Sequence, residues 1–353
     1  MKVGIVTFIH TVNFGASLQA YALQETIRSY GFDAEIIQYV NEEIEKKEKN
    51  QGQHSLKGLI KKFVMEKGIK NKIQAFQQFE EKYLVNGMEL VPANYDLINQ
   101  HYDYFITGSD QVWNMKITHF DWTYFLEFVQ DQTKKISYAP SFGNSVFPED
   151  AYRKAAEAFS TFHALSVREK SGADLIKKLT GRNAQVVVDP TLLLNRKEWA
   201  ERTDFKPDIQ KYILVYFPHN QKKVFDFVEE LSQKTGLPVV YLSISPRKQR
   251  GTKTIYDASP SEFLGWIFNA EYVVTGSFHG TAFSLNFEKQ FFYEPSGEGS
   301  RIDNLVKLTG TESRSIENKD AMNKRIDYSI VSKIVDQERS VSAEWLKAAL
   351  KER

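Results

Sequence analysis

The sequence predicts an α/β protein made of two doubly wound domains, each on a parallel sheet. Three observations lead there. Short apolar runs alternate with helical segments, the pattern of successive βαβ units. The alternation breaks over residues 189–210, a stretch with two prolines and scattered charges, and then restarts. The length of 353 residues is too great for one ordinary domain and suits two.

The first domain is expected over residues 1–195. Residues 2–8 form an apolar run that reads as a buried strand. Leu18, Ala22, Leu23 and Ile27 then recur at helical spacing, with Gly31 as the stop signal. A second strand follows over 35–40. The loop between strand and helix holds Asn13 and Gly15, which serve either a loose phosphate-binding turn or a helix cap. Residues 41–84 are rich in Lys, Glu and Gln, and Leu59, Phe63, Ile69, Ile73, Phe76 and Phe79 recur helically. The segment reads as an exposed helical insertion. The competing reading of its lysines is a peripheral contact with anionic headgroups, or with a lipid-linked acceptor, at the inner face of the cell membrane.

Strand 102–107 ends in Gly108, Ser109 and Asp110, a polar cluster just past a strand's end, where ligands bind in open α/β sheets. Strand 135–138 runs into a loop containing Ser141. A helix is expected over 152–162. Strand 164–167 ends at Arg168, Glu169 opens the next helix, and strand 185–188 closes at Asp189 and Pro190. The count is about six strands.

The second domain is expected over 210–325, with strands at 212–216, 238–243, 272–275 and 290–293 and helices at 222–234 and 261–269. Residues 245–253, with Arg247, Lys248, Arg250 and Lys253, read as a basic loop. A tail over 326–353 should carry one helix at 340–351, capped by Ser340 or Ser342.

Composition excludes several functions. The formal net charge of +1 gives no global field for nucleic acid. The absence of cysteine removes disulfides, thiolate metal sites and a cysteine nucleophile, and fits a reducing compartment. No signal peptide or membrane-length apolar run is visible, so a cytoplasmic protein is expected. No histidine pair has metal-ligand spacing, so no metal is expected. Ser109 and Ser277 lack the serine-hydrolase elbow.

The stretch 272–283, YVVTGSFHGTAF, concentrates the chemistry. An apolar strand ends at Gly276, Ser277 and His279 follow, and Gly280 leads into a helix. Backbone N–H groups at such a turn favour an anion. Histidine moves protons near neutral pH, and Arg168 suits a bidentate grip on phosphate or carboxylate. If the strand ends of the two domains face one another, His279 and Arg168 line one cleft. His10 and His219 also follow strands and are weaker candidates.

Six motifs in order carry a resemblance: NFGASLQAYAL from Asn13, GSDQVWN from Gly108, ISYAPSFG from Ile136, SVRE from Ser166, VDPTLLL from Val188 and TGSFHGTAFS from Thr275. Together they resemble the polysaccharide pyruvyl transferase family. The resemblance implies two Rossmann-like domains facing a cleft, GT-B-like. It implies transfer of a pyruvate ketal from phosphoenolpyruvate to paired hydroxyls of a sugar or lipid-linked oligosaccharide, with no other cofactor. Arg168 and His279 match residues of the family associated with donor binding and catalysis. Some relatives carry arginine just before this histidine, where this chain has Ser277 and Phe278. The anion grip then falls to Ser277, backbone N–H groups, Arg301 or Arg247. Two other functions fit the same pattern: a GT-B glycosyltransferase using a nucleotide sugar, and a non-catalytic sugar-phosphate binding protein.

Overall fold

In the computed structural model the chain divides into two compact units, and each carries one parallel sheet. The structure describes residues 1–41, 43–44, 59–143, 147–203, 205–217, 222–243, 248–297 and 300–351, with the backbone alone for 59–67.

The first unit holds β1 (Lys2–Val6), β2 (Asp33–Gln38), β3 (Asn86–Glu89), β4 (Tyr104–Gly108), β5 (Lys135–Tyr138), β6 (Ala164–Val167) and β7 (Gln185–Val186). Their order is β3-β2-β1-β4-β5-β6-β7, and every pairing is parallel. The chain winds outward from β1 in one direction, returns to β4 and winds in the other. The carboxyl ends of β1 and β4 therefore flank the topological switch point, the usual ligand site of such sheets. β4 and β5 are buried at every residue and β1 at all but Lys2, as expected of central strands with both faces covered. In the helix Phe14–Ser29 most residues are buried. Trp113 is fully buried, stacks on Phe125 at 5.3 Å and also packs against Phe142, Phe159 and Phe162.

The second unit holds β8 (Ile213–Tyr216), β9 (Val239–Leu242), β10 (Lys253–Ile255), β11 (Tyr272–Thr275) and β12 (Gln290–Tyr293). Their order is β10-β9-β8-β11-β12, again all parallel. Here the switch point lies between β8 and β11. Helix Pro260–Asn269 starts as its sequence demands. Ser259 and Glu262 form a reciprocal capping box, and Pro260 takes the first helical position.

The structure departs from expectation in four places. The first sheet has seven strands rather than about six. The extra strand, β3, has no strand-like pattern. It is held by pairing with β2, and the Gln24 amide beside it accepts from Val85 N at 2.9 Å and donates to Val85 O at 2.9 Å. β10 lies partly inside the expected basic loop, because its backbone completes the edge beside β9. The C-terminal helix runs over Tyr328–Ala349, so neither Ser340 nor Ser342 caps it. Ser342 is buried in mid-helix, where its hydroxyl accepts from Val188 N at 3.0 Å.

Finally, the expected insertion and tail are not separate bodies. Described insertion residues through Phe79 group with the second unit and those from Glu80 with the first. The C-terminal helix divides likewise after Gln337. Its last part joins the first unit through Ser342, through a Tyr30 hydroxyl donated to Ala343 O and through Arg339 donated to Leu192 O.

Candidate functional site

Each unit places polar side chains at the carboxyl ends of its strands. In the second unit the turn after β11 is built around Thr275. Its hydroxyl donates to Tyr216 O at 2.7 Å and accepts from Ser277 N at 3.1 Å. A Cβ on Gly280 would lie 2.3 Å from that hydroxyl oxygen, and one on Gly276 would lie 2.3 Å from the Phe217 ring. Both glycines are thus required by close approach. Ser277 caps the helix Phe278–Asn286, accepting from Gly280 N at 3.4 Å.

His279 sits in the first turn of this helix, 6% exposed, with its ring edge-on to Phe278 at 5.2 Å. The Arg301 guanidinium lies 5.9 Å from the same Phe278 ring. Arg301 opens the helix Arg301–Thr309, capped by Ser300. Thus the turn holds a histidine, a neighbouring cation and helix N–H groups, the combination that suits an anion. Arg247 lies outside the described residues, as does His219.

A carboxylate also stands at this edge. Glu294 follows β12, donates its N–H to Thr275 O at 3.0 Å, and is buried in an ion pair with Lys223 at 2.9 Å. Nothing in its local sequence marked it as part of the edge. The pairing of β11 with β12 brings it there.

In the first unit, Asn13 caps the helix Phe14–Ser29, its side chain accepting from Gly15 N at 2.9 Å and Ala16 N at 3.4 Å. This is the helix-cap reading of that loop. Ser109, Asp110, Ser141 and Arg168 converge at the ends of β4, β5 and β6. Arg168 is buried among carboxylates: Asp189 at 2.6 Å, Asp110 at 3.8 Å and Glu169 at 3.9 Å. Burial works against its charge, but the three carboxylates outweigh it and hold its pKa above the ordinary arginine value. Arg168, expected from the sequence to grip an anion, is in the structure the centre of a buried ion cluster.

Most oxygens of that cluster are occupied by the fold itself. Asp189 accepts from Thr191 N and the Thr191 hydroxyl through one oxygen, and from Arg168 and the Ser109 hydroxyl through the other. Glu169 accepts from the Ser141 hydroxyl at 2.8 Å and Phe142 N at 2.7 Å. The backbone is strained beside it. Asp110 and Ala139 have φ of 59° and 52°, and His10, beyond β1, has 57°. A non-glycine residue in this region costs about 1–3 kcal/mol, and such residues gather at functional sites. Asp189 and Glu169 are members that the sequence reading did not select, and elsewhere in the first unit the unselected Glu80 faces His10 Nδ1 at 3.4 Å. Their signal was an acidic residue directly after a strand, or late in a helix.

Among the described residues no group of three or more His, Asp or Glu side chains is arranged to hold a metal. Among the same residues no helix is long and apolar enough to cross a membrane.

Two parallel-sheet α/β units, each with polar side chains at the carboxyl ends of its strands, make the fold GT-B-like. Solved structures bear out the fold. A UDP-N-acetylglucosamine 2-epimerase, described as putative, from Listeria monocytogenes aligns with a TM-score of 0.60 at 11% identity, over 99% of this chain and 95% of that one. A co-structure of S. aureus MnaA with UDP gives 0.52 at 12% identity, over 99% and 91%. UDP-GlcNAc 2-epimerase from Neisseria meningitidis, bound to UDP-GlcNAc, gives 0.52 at 10% identity, over 99% and 98%. These identities show the fold alone. No curated protein sequence matches the chain. The polysaccharide pyruvyl transferase family model matches residues 13–294, and the chain belongs to that family.

Proposed function

We propose that the protein transfers pyruvate from phosphoenolpyruvate to two hydroxyls of a sugar in a surface polysaccharide or its lipid-linked precursor. The product is a cyclic ketal, and phosphate is released. The observation that carries this reading is the His279 turn inside a matched family region: a buried histidine in the first turn of a helix, with Arg301 against its neighbour Phe278. In this reading the second unit takes the anionic donor.

The chemistry fits those groups. His279 gives a proton to the methylene carbon of the donor. The carbon bearing phosphate and carboxylate then becomes electrophilic. One sugar hydroxyl adds there, phosphate departs with the bridging electron pair, and the second hydroxyl closes the ketal. Arg301 and the N–H groups of the Ser277 turn offset the negative charge of the donor. Arg168 contributes as a fixed charge that holds Asp110, Glu169 and Asp189 in place.

A second reading is a transferase using a nucleotide sugar. It is favoured by the UDP and UDP-GlcNAc held in two of the similar structures. One experiment separates them. The protein is incubated with candidate glycans and either phosphoenolpyruvate or UDP-sugars. Phosphate and UDP release are followed, and the glycan is weighed by mass spectrometry. A pyruvate adduct with phosphate release supports the first reading. UDP release with a glycosyl adduct replaces it.

A further inference from the structure

A pocket of about 410 Å³ opens in the first unit, between the helix Tyr95–His101 and the segment 122–130. It is lined by Tyr95, Thr123, Glu127, Phe128 and Gln130. Small-ligand sites measure roughly 300–1,000 Å³, so the size suits one. Phe128 is buried, packs edge-on against Phe105 of β4 at 5.5 Å and backs the half-buried Tyr95 ring at 5.7 Å. One buried side chain ties the two walls together. Asn99 donates to Tyr95 O at 2.8 Å and to Phe128 O at 2.9 Å, and it accepts from Gln130 N at 2.9 Å. Leu126, next to Glu127 in the chain, is held at φ 56°, a conformation that a bulky side chain rarely adopts.

The polar ends are held as well. Glu127 is exposed and pairs through Oε1 with Lys154 at 2.9 Å, and the Lys154 ammonium lies 4.5 Å from the Trp122 ring. Gln130 donates its amide nitrogen to Asp96 at 2.6 Å. Glu127 Oε2 and Gln130 Oε1 are then the acceptors that meet a ligand. A rigid aromatic ring beside such acceptors matches a sugar ring, which has an apolar C–H face and O–H donors around its edge. Anions are disfavoured, because Glu127 and Asp96 set two carboxylates beside the one ammonium of Lys154. An apolar ligand would take water from these oxygens and give no hydrogen bond in return.

We infer that this pocket binds a neutral sugar ring of the glycan acceptor. The choice of a glycan as occupant rests on the transfer reaction proposed above. The sugar ring stacks on Tyr95, and its hydroxyls donate to Glu127 and Gln130. Asn99 and Lys154 hold the pocket in shape before the sugar arrives, which lowers the entropy lost on binding. The pocket supplies affinity for the glycan, and its residues take no part in the transfer step.

The test uses the full chain and four neutral disaccharides as probes: maltose, cellobiose, lactose and mannobiose. Saturation-transfer NMR without phosphoenolpyruvate reads binding apart from turnover. At least one probe should receive saturation at its ring protons. Tyr95→Ala should weaken binding of that probe about tenfold or more. Glu127→Ala, at an exposed position, should weaken it about tenfold, and it serves as the test if Tyr95→Ala fails to fold. A parent protein that binds none of the probes overturns the inference, and so does a folded variant that binds them as the parent does. Phosphate release from phosphoenolpyruvate with candidate glycans is measured separately. Its absence removes the transfer reading, while the binding result still decides the pocket. Where release occurs, the variants should raise KM for the glycan and keep kcat within about threefold.

Discussion

In the first unit the buried guanidinium of Arg168 lies among three carboxylates. In the second, Arg314 is equally buried but lies 4.1 Å from the Phe292 ring and donates to the backbone carbonyls of Phe291, Ala321 and Lys324. The outcomes are opposite. Carboxylates outweigh burial at Arg168 and raise its pKa, whereas burial lowers Arg314 to about 10. Lys72, also in the second unit and 4.8 Å from the Tyr256 ring, is lowered by burial to about 8 despite the pull of Asp257. An aromatic face and carbonyl dipoles hold a buried cation, but they restore less of its lost hydration than a carboxylate does. The first edge therefore carries three carboxylates around one buried cation. The second combines Arg301 with the N-termini of two helices, beside a buried Glu294.

The largest test of that contrast is at the second edge. His279→Ala should lower turnover by about 10²–10⁴-fold, read as phosphate release. A loss under about tenfold would remove His279 from the proton transfer. At the first edge the main loss should be stability. Arg168→Met leaves three carboxylates facing one another and should cost about 3–5 kcal/mol, read from the urea transition followed by tryptophan fluorescence. An unchanged midpoint would show that Arg168 does not hold the cluster, and would return it to the role of anion grip.

How far these roles could be read in advance differs between the edges. The His279 turn is local. Ser277 as the helix cap and Gly280 against Thr275 each answer a requirement set within a few residues, so a turn and helix were legible in TGSFHG, whereas Gly276 is required by the Phe217 ring of a distant segment. The Arg168 cluster is not local. Its partner Asp189 is 21 residues away, and Asp110 is reached only through the pairing of β4 with β5 and of β5 with β6. A strand-end arginine in a sequence looks the same whether it faces a ligand or three carboxylates.

The contrast in buried cations gives a pH test. Lys72 has an ordinary value of 10.5 and a folded value of about 8. Between those values the unfolded chain holds the proton and the folded chain releases it, so stability rises with pH through that window. At about 1.4 kcal/mol per unit the rise is bounded near 3 kcal/mol. Lys72→Met should flatten it in urea denaturation from pH 7 to 10.5. A variant with the same slope as the parent would place the pH dependence elsewhere. The smallest effect expected is at the helix cap. Ser277→Ala should cost about 1 kcal/mol and lower the midpoint slightly. A neutral result would mean that the 3.4 Å bond to Gly280 adds nothing to the turn.

The sequence by itself determined the class of fold and most of its elements. β5, β6, β11 and β12 follow from apolar runs bounded by turn residues, and the βαβ alternation restricts the sheets to parallel order. It also determined most of the His279 turn, because the Gly280 and cap requirements act over neighbouring residues. Tertiary structure decided the rest. β3 and β10 exist because a neighbouring edge offers backbone partners, not because their residues favour strands. The insertion and the C-terminal helix each divide between the units. The partners of Arg168, the pairing of His10 with Glu80 and the burial of Lys72 depend on which strand ends and helices meet. Charge interactions act through space, so the sequence names the charged groups while the fold alone sets their distances and their hydration.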